Sequence, residues 1–365
     1  MKTILITGGA GYLGLNIALK LIENNCNVVI ADNLKNSYVE NVKKLLKEFP
    51  KQTKFYKGDV CSYDFVKQIF ESNKIDIVLH LAAYKYVGES LKKPKLYQKN
   101  NMKSLETVLK ISKEFNISIF AFSSSAVVYG NTACVPTSED IVFSPLSPYA
   151  KTKCDGETMI LEWNQKHNIP VTIFRFSNPV GANSKYMFAD HSKKGFENLI
   201  PYIVRSALTN QKMVFRGNNH PTPDGTAVRD YIHITDLATI SSHILLNSNA
   251  NKEILNISSS VGSSVLEILK TTENILEKKL NYSFEPRNPK EASVSILNKN
   301  AKVLSDAAAV LLLEEKELVG GRIVSEVKAL LENAARRRAM SENISAFAGD
   351  DACELIYREI VRLVK

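Results

Sequence analysis

The sequence predicts an α/β fold built on a doubly wound parallel sheet. Short β-branched apolar runs alternate with amphipathic stretches through the first half of the chain. A glycine-spaced turn joins the first run to the first amphipathic stretch, and an aspartate closes the second run. The 365 residues leave room for one large domain or two lobes, and a hydrophobic fraction of 44% is that of an ordinary globular chain. No apolar run approaches the roughly 18 residues of a membrane span. Met1–Ile6 leads straight into the glycine turn, as a buried strand does and a signal peptide does not. A cytoplasmic protein without membrane contact is expected.

Strands are expected at Thr3–Thr7, Val28–Asp32, Lys54–Lys57, Ile77–Leu81, Ile119–Ser123 and Val171–Phe176. The intervening helices fall at Leu13–Asn24, Val39–Glu48, Tyr63–Ser72, Met102–Phe115 and Tyr149–His167. After Asn178 the pattern loosens into Gly-, Pro- and Asn-rich loops such as Asn218–Gly225, which suit a smaller lobe closing over the ligand edge of the sheet. Residues 1–177, with 229–260 returning, are expected to form a nucleotide-binding domain. Residues 178–228 and 261–300 would form a smaller mixed α/β substrate lobe.

Composition shifts near residue 300. The last 65 residues hold 6 of the 11 arginines and 11 of the 27 alanines, but only 4 of the 36 lysines. Residues 301–365 are therefore read as an atypical helical tail: an apolar run at Ala307–Leu313, a helix over Arg322–Met340, and a last helix after Gly349-Asp350-Asp351.

The five cysteines form no CxxC and the six histidines no HExxH, so no metal site is expected. His233 is read as a hydrogen-bonded structural histidine. The net charge is +9, but lysines are scattered singly or in pairs with no aromatic interleaving, which argues for a solvated surface and against nucleic acid as a partner.

The loop Gly8-x-x-Gly11-x-x-Gly14 between a strand and a helix suits a pyrophosphate, because its glycines allow backbone N–H groups to approach closely at a helix N-terminus. Gly8, Gly11, Tyr12, Leu13 and Gly14 are the candidates there. Asp32 and Asn33 end the second strand, where a carboxylate accepts hydrogen bonds from an adenosine ribose. No arginine follows to hold a 2′-phosphate, so NAD is expected over NADP. Asp59 and Val60, after the third strand, sit where an adenine contact would fall.

The chemistry is read from Ser147-Pro-Tyr-Ala-Lys-Thr-Lys153. A free tyrosine has a pKa near 10 and is a poor base. An ammonium one helical turn away, Lys153, would favour the phenolate of Tyr149. Ser125, past the end of a strand, can hold a substrate hydroxyl against that phenol. A redox step at an alcohol carbon is the chemistry implied.

These residues together resemble the extended short-chain dehydrogenase/reductases, whose sheet is the Rossmann fold, and among them the UDP-glucose 4-epimerases. The resemblance covers about residues 1–300. It rests on Thr7–Gly14, Asp32-Asn-Leu34, His80-Leu-Ala-Ala83, Val87-Gly-Glu-Ser90, Ser123-Ser-Ser-Ala126, Val128-Tyr-Gly130, Ser147-Pro-Tyr149, Asn178-Pro-Val-Gly-Ala182 and Asp224–His233. It implies 4-epimerisation of UDP-hexoses through a 4-keto sugar, with Tyr149 taking the C4 hydroxyl proton and NAD regenerated in each turnover. It implies Leu81, Ala82, Ala83, Lys85, Asn100 and Phe176 near NAD. Around the UDP-sugar it implies Lys85, Ser125, Tyr149, Asn178, Asn198, Leu199, Val214, Phe215, Arg229, Arg287 and Ser295. A homodimer through the Met102–Phe115 and Tyr149–His167 helices is implied as well.

The chain departs from the family pattern in three places. Ser177 stands where an aromatic wall borders the sugar. Asn288 stands where a second arginine binds the nucleotide, with Glu291 in place of an aspartate. Ser295 replaces a bulky tyrosine, leaving room for an N-acetyl group. From Ala308 onward the tail resembles the last stretch of the peptidoglycan N-acetylglucosaminyltransferases, without that family's donor-binding loops. Two other readings stand beside epimerisation: another NAD-dependent nucleotide-sugar oxidoreductase or dehydratase, and a catalytically impaired NAD-binding protein. A dehydratase would carry an Asp-Glu pair where this chain has Ala126-Val127.

Overall fold

The computed structural model describes residues 1–298 apart from 184, 194–197 and 288–290, together with positions 335, 338 and 339. The expected tail elements and Asn288 otherwise lie outside the described residues.

The first half alternates strand and helix: β1 (Thr3–Thr7), α1 (Tyr12–Glu23), β2 (Asn27–Asp32), α2 (Val39–Glu48), β3 (Thr53–Lys57), α3 (Tyr63–Glu71) and β4 (Ile77–His80). Next come α4 (Val87–Lys92), α5 (Pro94–Glu114), β5 (Ile119–Ser125), a 3-10 turn at Ala126–Tyr129, α6 (Pro148–His167) and β6 (Val171–Phe176). The remainder is β7 (Asn178–Val180), α7 (Leu199–Thr209), β8 (Met213–Arg216), β9 (Val228–His233), α8 (Ile234–Asn247), β10 (Lys252–Ile257), β11 (Gly262–Ser264), α9 (Val265–Leu276), β12 (Tyr282–Glu285) and β13 (Val294–Ser295).

The principal sheet has seven strands in the order β10-β6-β5-β4-β1-β2-β3, every pair parallel. Helices cover both faces, so successive strand residues enter opposite cores and the strands read as continuous apolar runs. Ile4, Ile6, Val28 and Ile30 pack with residues of α1, α2 and α8; Leu5, Val29, Val78 and Phe120 pack with α3, α5 and α6. The strand order reverses direction at β1, between β4 and β2, which is where an open α/β sheet leaves a crevice at its carboxyl edge.

Two smaller sheets lie beyond that edge. β9 pairs with β7, β11 and β13, and β8 pairs with β12. Around β8 and β12, Phe215, Tyr202, Tyr282 and Phe284 build a separate aromatic core. In the 229–260 stretch, α8 and β10 belong with the principal sheet, whereas β9 belongs to the smaller one.

Element boundaries differ from the sequence expectation mainly at α5. It starts at Pro94, whose fixed φ and missing N–H suit the first helical position, and its opening Lys-Leu-Tyr-Gln-Lys carries no apolar period to announce a helix. Among the described residues no helix is long and apolar enough to cross a membrane.

Candidate active site

The crevice at the carboxyl edge is a cavity of about 350 Å³. Its floor is the turn after β1. Gly8 has φ +68°, and a Cβ there would lie 2.8 Å from the Ala82 backbone nitrogen; a Cβ on Gly14 would lie 2.5 Å from Gly9 Cα. Only glycine permits both the left-handed turn and that contact of helix with loop. No side chain caps α1 at Gly11, so the first-turn N–H groups of α1 border the cavity as an anion site.

At one end stands Asp32. Its carboxylate accepts from Leu34 N at 2.7 Å and Ala10 N at 3.2 Å, with Ser37 Oγ at 3.4 Å. Burial lifts its pKa above the usual carboxylate value, while the hydrogen bonds from Leu34 and Ala10 hold it back. Beside it, Asn36 Oδ1 is buried with no hydrogen-bond partner among the described residues. A carboxylate and a spare amide oxygen at the end of β2 fit the hydroxyls of an adenosine ribose. The glycine cradle, open helix end and acceptor pair therefore fit NAD.

At the other end lie Ser125, Tyr149 and Lys153. Ser147 Oγ accepts from Ala150 N at 3.1 Å and Pro148 occupies the first turn, so α6 starts immediately before Tyr149. One turn later, Lys153 Nζ lies 5.8 Å from the centre of the Tyr149 ring and donates to the Ser123 carbonyl at 2.6 Å. The Tyr149 and Ser125 side chains both line the cavity at this end. Tyr149 is 8% exposed and Lys153 4%. Burial pushes the Tyr149 phenol up to about 12, against the pull of the Ser125 hydrogen bond. Burial also brings the Lys153 ammonium down to about 8, against the pull of Glu157. Burial governs the phenol, rather than the neighbouring ammonium that the sequence leads one to expect. The pair at neutral pH is a phenol beside an ammonium.

The cavity brings together Gly8, Gly11, Tyr12, Leu13, Gly14, Asp32, Asn33, Asp59, Val60, Leu81, Ala82, Ala83, Lys85, Asn100, Phe176, Asn178 and Asn198 with Ser125 and Tyr149. Lys153 stands behind its wall. Lys85 and Asn198 converge on Asp190: Lys85 Nζ is 3.4 Å from Oδ1, and Asn198 Nδ2 donates to Oδ2.

The other candidates are not among the residues that line this cavity. Leu199 packs on the small core, Phe215 is buried in it, and Val214 faces outward, as alternation along β8 requires. Arg229, Arg287 and Ser295 form a second group: Arg229 bonds Glu291 at 3.1 Å, Arg287 donates to Ser293 Oγ at 3.2 Å, and Ser295 is in register with Arg229. Sequence reasoning missed Lys35, Asn36, Ser37 and Tyr84, which also line the cavity. For Asn36 and Ser37 the signal was there, in their place just past the aspartate that ends β2. His233 is structural: its Nδ1 accepts from Thr235 N at 3.3 Å and caps α8. His80 is buried against Thr7, with Nδ1 and Oγ1 2.9 Å apart.

Fold and site define a dinucleotide-binding α/β enzyme with a tyrosine–lysine pair at the cofactor cleft. Residues 4–258 match the NAD dependent epimerase/dehydratase family, and the chain belongs to that family. It is 37% identical over 290 residues to a UDP-glucose 4-epimerase of Yersinia enterocolitica, covering 79% of this chain and 86% of that one. It is similar in structure to a UDP-glucose 4-epimerase of Bifidobacterium longum solved with NAD+ and UDP, with TM-score 0.80, 31% identity, and coverage of 84% of this chain and 92% of that one. A UDP-Glc/GlcNAc 4-epimerase of Campylobacter jejuni is similar at TM-score 0.70 and 26% identity, over 82% and 92% of the two chains.

Proposed function

We propose that this enzyme epimerises UDP-hexoses at C4, interconverting UDP-glucose and UDP-galactose and accepting the N-acetyl forms. The observation that carries this is the meeting of Ser125, Tyr149 and Lys153 at the inner end of a cleft built for NAD. Bound NAD would supply the hydride acceptor and, in the return step, the hydride donor. Ser125 holds the C4 hydroxyl against the Tyr149 oxygen. Tyr149 accepts the C4 proton as the alcohol becomes a ketone and gives it back when the ketone is reduced on the opposite face. Lys153 stabilises the transient phenolate by its charge. A bound, positively charged nicotinamide ring would add to that attraction and favour the phenolate.

Lys85, Asn178 and Asn198 are assigned to the substrate side of the cleft, with Leu199, Val214 and Phe215 shaping the lobe behind them. Arg229 and Arg287 are assigned to the diphosphate as charged hydrogen-bond donors. Ser295 leaves space beside them, which supports acceptance of an N-acetyl group. A homodimer through α5 and α6 and a cytoplasmic setting complete the proposal. The second is supported by the free thiols among the described residues, Cys26, Cys61, Cys134 and Cys154.

The test is a coupled assay of UDP-galactose conversion to UDP-glucose. Turnover without net NADH is expected, and Tyr149→Phe is expected to lower kcat about 10²- to 10⁴-fold. Stoichiometric NADH, or a released 4-keto sugar, would assign the site to a dehydrogenase or dehydratase.

A further inference from the structure

Lys35 and Tyr84 stand on loops of strands that are not neighbours. Lys35 follows β2, which ends at Asp32, and Tyr84 follows β4, which ends at His80. In the sheet β1 lies between β2 and β4. Any contact between the two loops must therefore cross the carboxyl end of β1, above the glycine turn. Strands spaced about 4.8 Å apart put the two loop origins roughly 10 Å from each other, a gap that a lysine and a tyrosine together can span.

They do span it. Lys35 Nζ donates to the Tyr84 phenolic oxygen and lies 4.9 Å from the centre of the Tyr84 ring. Both residues line the cofactor cleft. Tyr84 is braced from behind: its N–H donates to Asn101 Oδ1 at 2.8 Å, and its carbonyl accepts from Asn101 Nδ2 at 3.1 Å. Its ring packs against that of Tyr97 at 5.5 Å. The lysine is the movable half, and the tyrosine is a fixed post.

We propose that Lys35 and Tyr84 form a clasp over the dinucleotide and slow its release. An enzyme that takes hydride out and returns it in one cycle never needs to discharge its cofactor, so a closed clasp carries no penalty in turnover. The inference rests on the NAD-binding reading and is independent of which sugar is turned over.

The experiment loads the full chain with radiolabelled NAD and chases it with excess unlabelled NAD. It compares wild type with Lys35→Met, Tyr84→Phe and the double variant. Lys35→Met keeps the aliphatic stem, and Tyr84→Phe keeps the braced ring, so each removes one end of the contact by itself. Each single variant is expected to release NAD roughly tenfold faster, as loss of a charge-assisted hydrogen bond allows. The double variant is expected to be no faster than either single one, because the two groups act as one contact. Release at the wild-type rate from both single variants, or fully multiplicative effects in the double, would overturn the clasp while leaving NAD binding intact. Failure of wild type to take up NAD would overturn the cofactor reading along with it.

Discussion

At His80 a buried imidazole ties stability to pH. Burial brings its pKa down to about 3 from the ordinary imidazole value of about 6.5, and the nearby Lys153 charge acts in the same direction. As pH falls below the unfolded value, the unfolded chain takes a proton that the folded one refuses. Stability then drops by about 1.4 kcal/mol per pH unit until the folded pKa is reached. Urea denaturation at pH 7 and pH 5 is expected to show a loss about 2 kcal/mol larger in wild type than in His80→Gln. Equal losses would show that His80 does not carry this effect. The candidate pair Tyr149 and Lys153 was legible because its geometry is local: a capped helix start fixes the tyrosine, and one helical turn fixes the lysine. The Lys35–Tyr84 contact was not legible, since it joins loops 49 residues apart whose meeting depends on the order of strands in the sheet.

Behind the site, β5, β6 and α6 are tied by one buried ion pair. Arg175 Nη2 meets Glu157 Oε2 at 2.8 Å, and Arg175 Nη1 donates to the Tyr129 hydroxyl at 2.8 Å and the Glu139 carbonyl at 2.7 Å. Ser124, adjacent to Ser125, donates to Glu157, which lies one turn beyond Lys153. Arg175→Met would leave a buried carboxylate without its partner and is expected to cost about 3–5 kcal/mol in denaturant-measured stability, with reduced kcat. A loss under about 1 kcal/mol would show that the pair is not a structural tie. Strands β1, β2, β4, β5 and β6 could be read from sequence because burial on both faces makes them largely apolar runs. The edge strand β10, Lys-Glu-Ile-Leu-Asn-Ile, has a polar start and pairs only with β6, so its pattern is weaker. Strands β7, β11 and β13 are too short to carry a period, and they exist because β9 offers them partners.

Across the whole molecule, a principal sheet holds the cofactor cleft while smaller sheets present a second charged group around Arg229, Arg287 and Ser295. Sequence spacing could not show that these residues do not line the cofactor cleft, because chain order says nothing of how the smaller sheets sit. If Ser295 sets room for an acetamido group, Ser295→Tyr is expected to lower turnover of UDP-N-acetylglucosamine at least about tenfold more than that of UDP-galactose, as a filled pocket discriminates by size. Equal effects on both substrates would remove Ser295 from specificity. Under the proposed function, one site takes hydrogen from C4 and returns it to the same carbon. UDP-galactose deuterated at C4 and turned over in ordinary water is expected to give UDP-glucose that keeps its deuterium at C4. Product carrying solvent hydrogen there would contradict hydride return at that carbon.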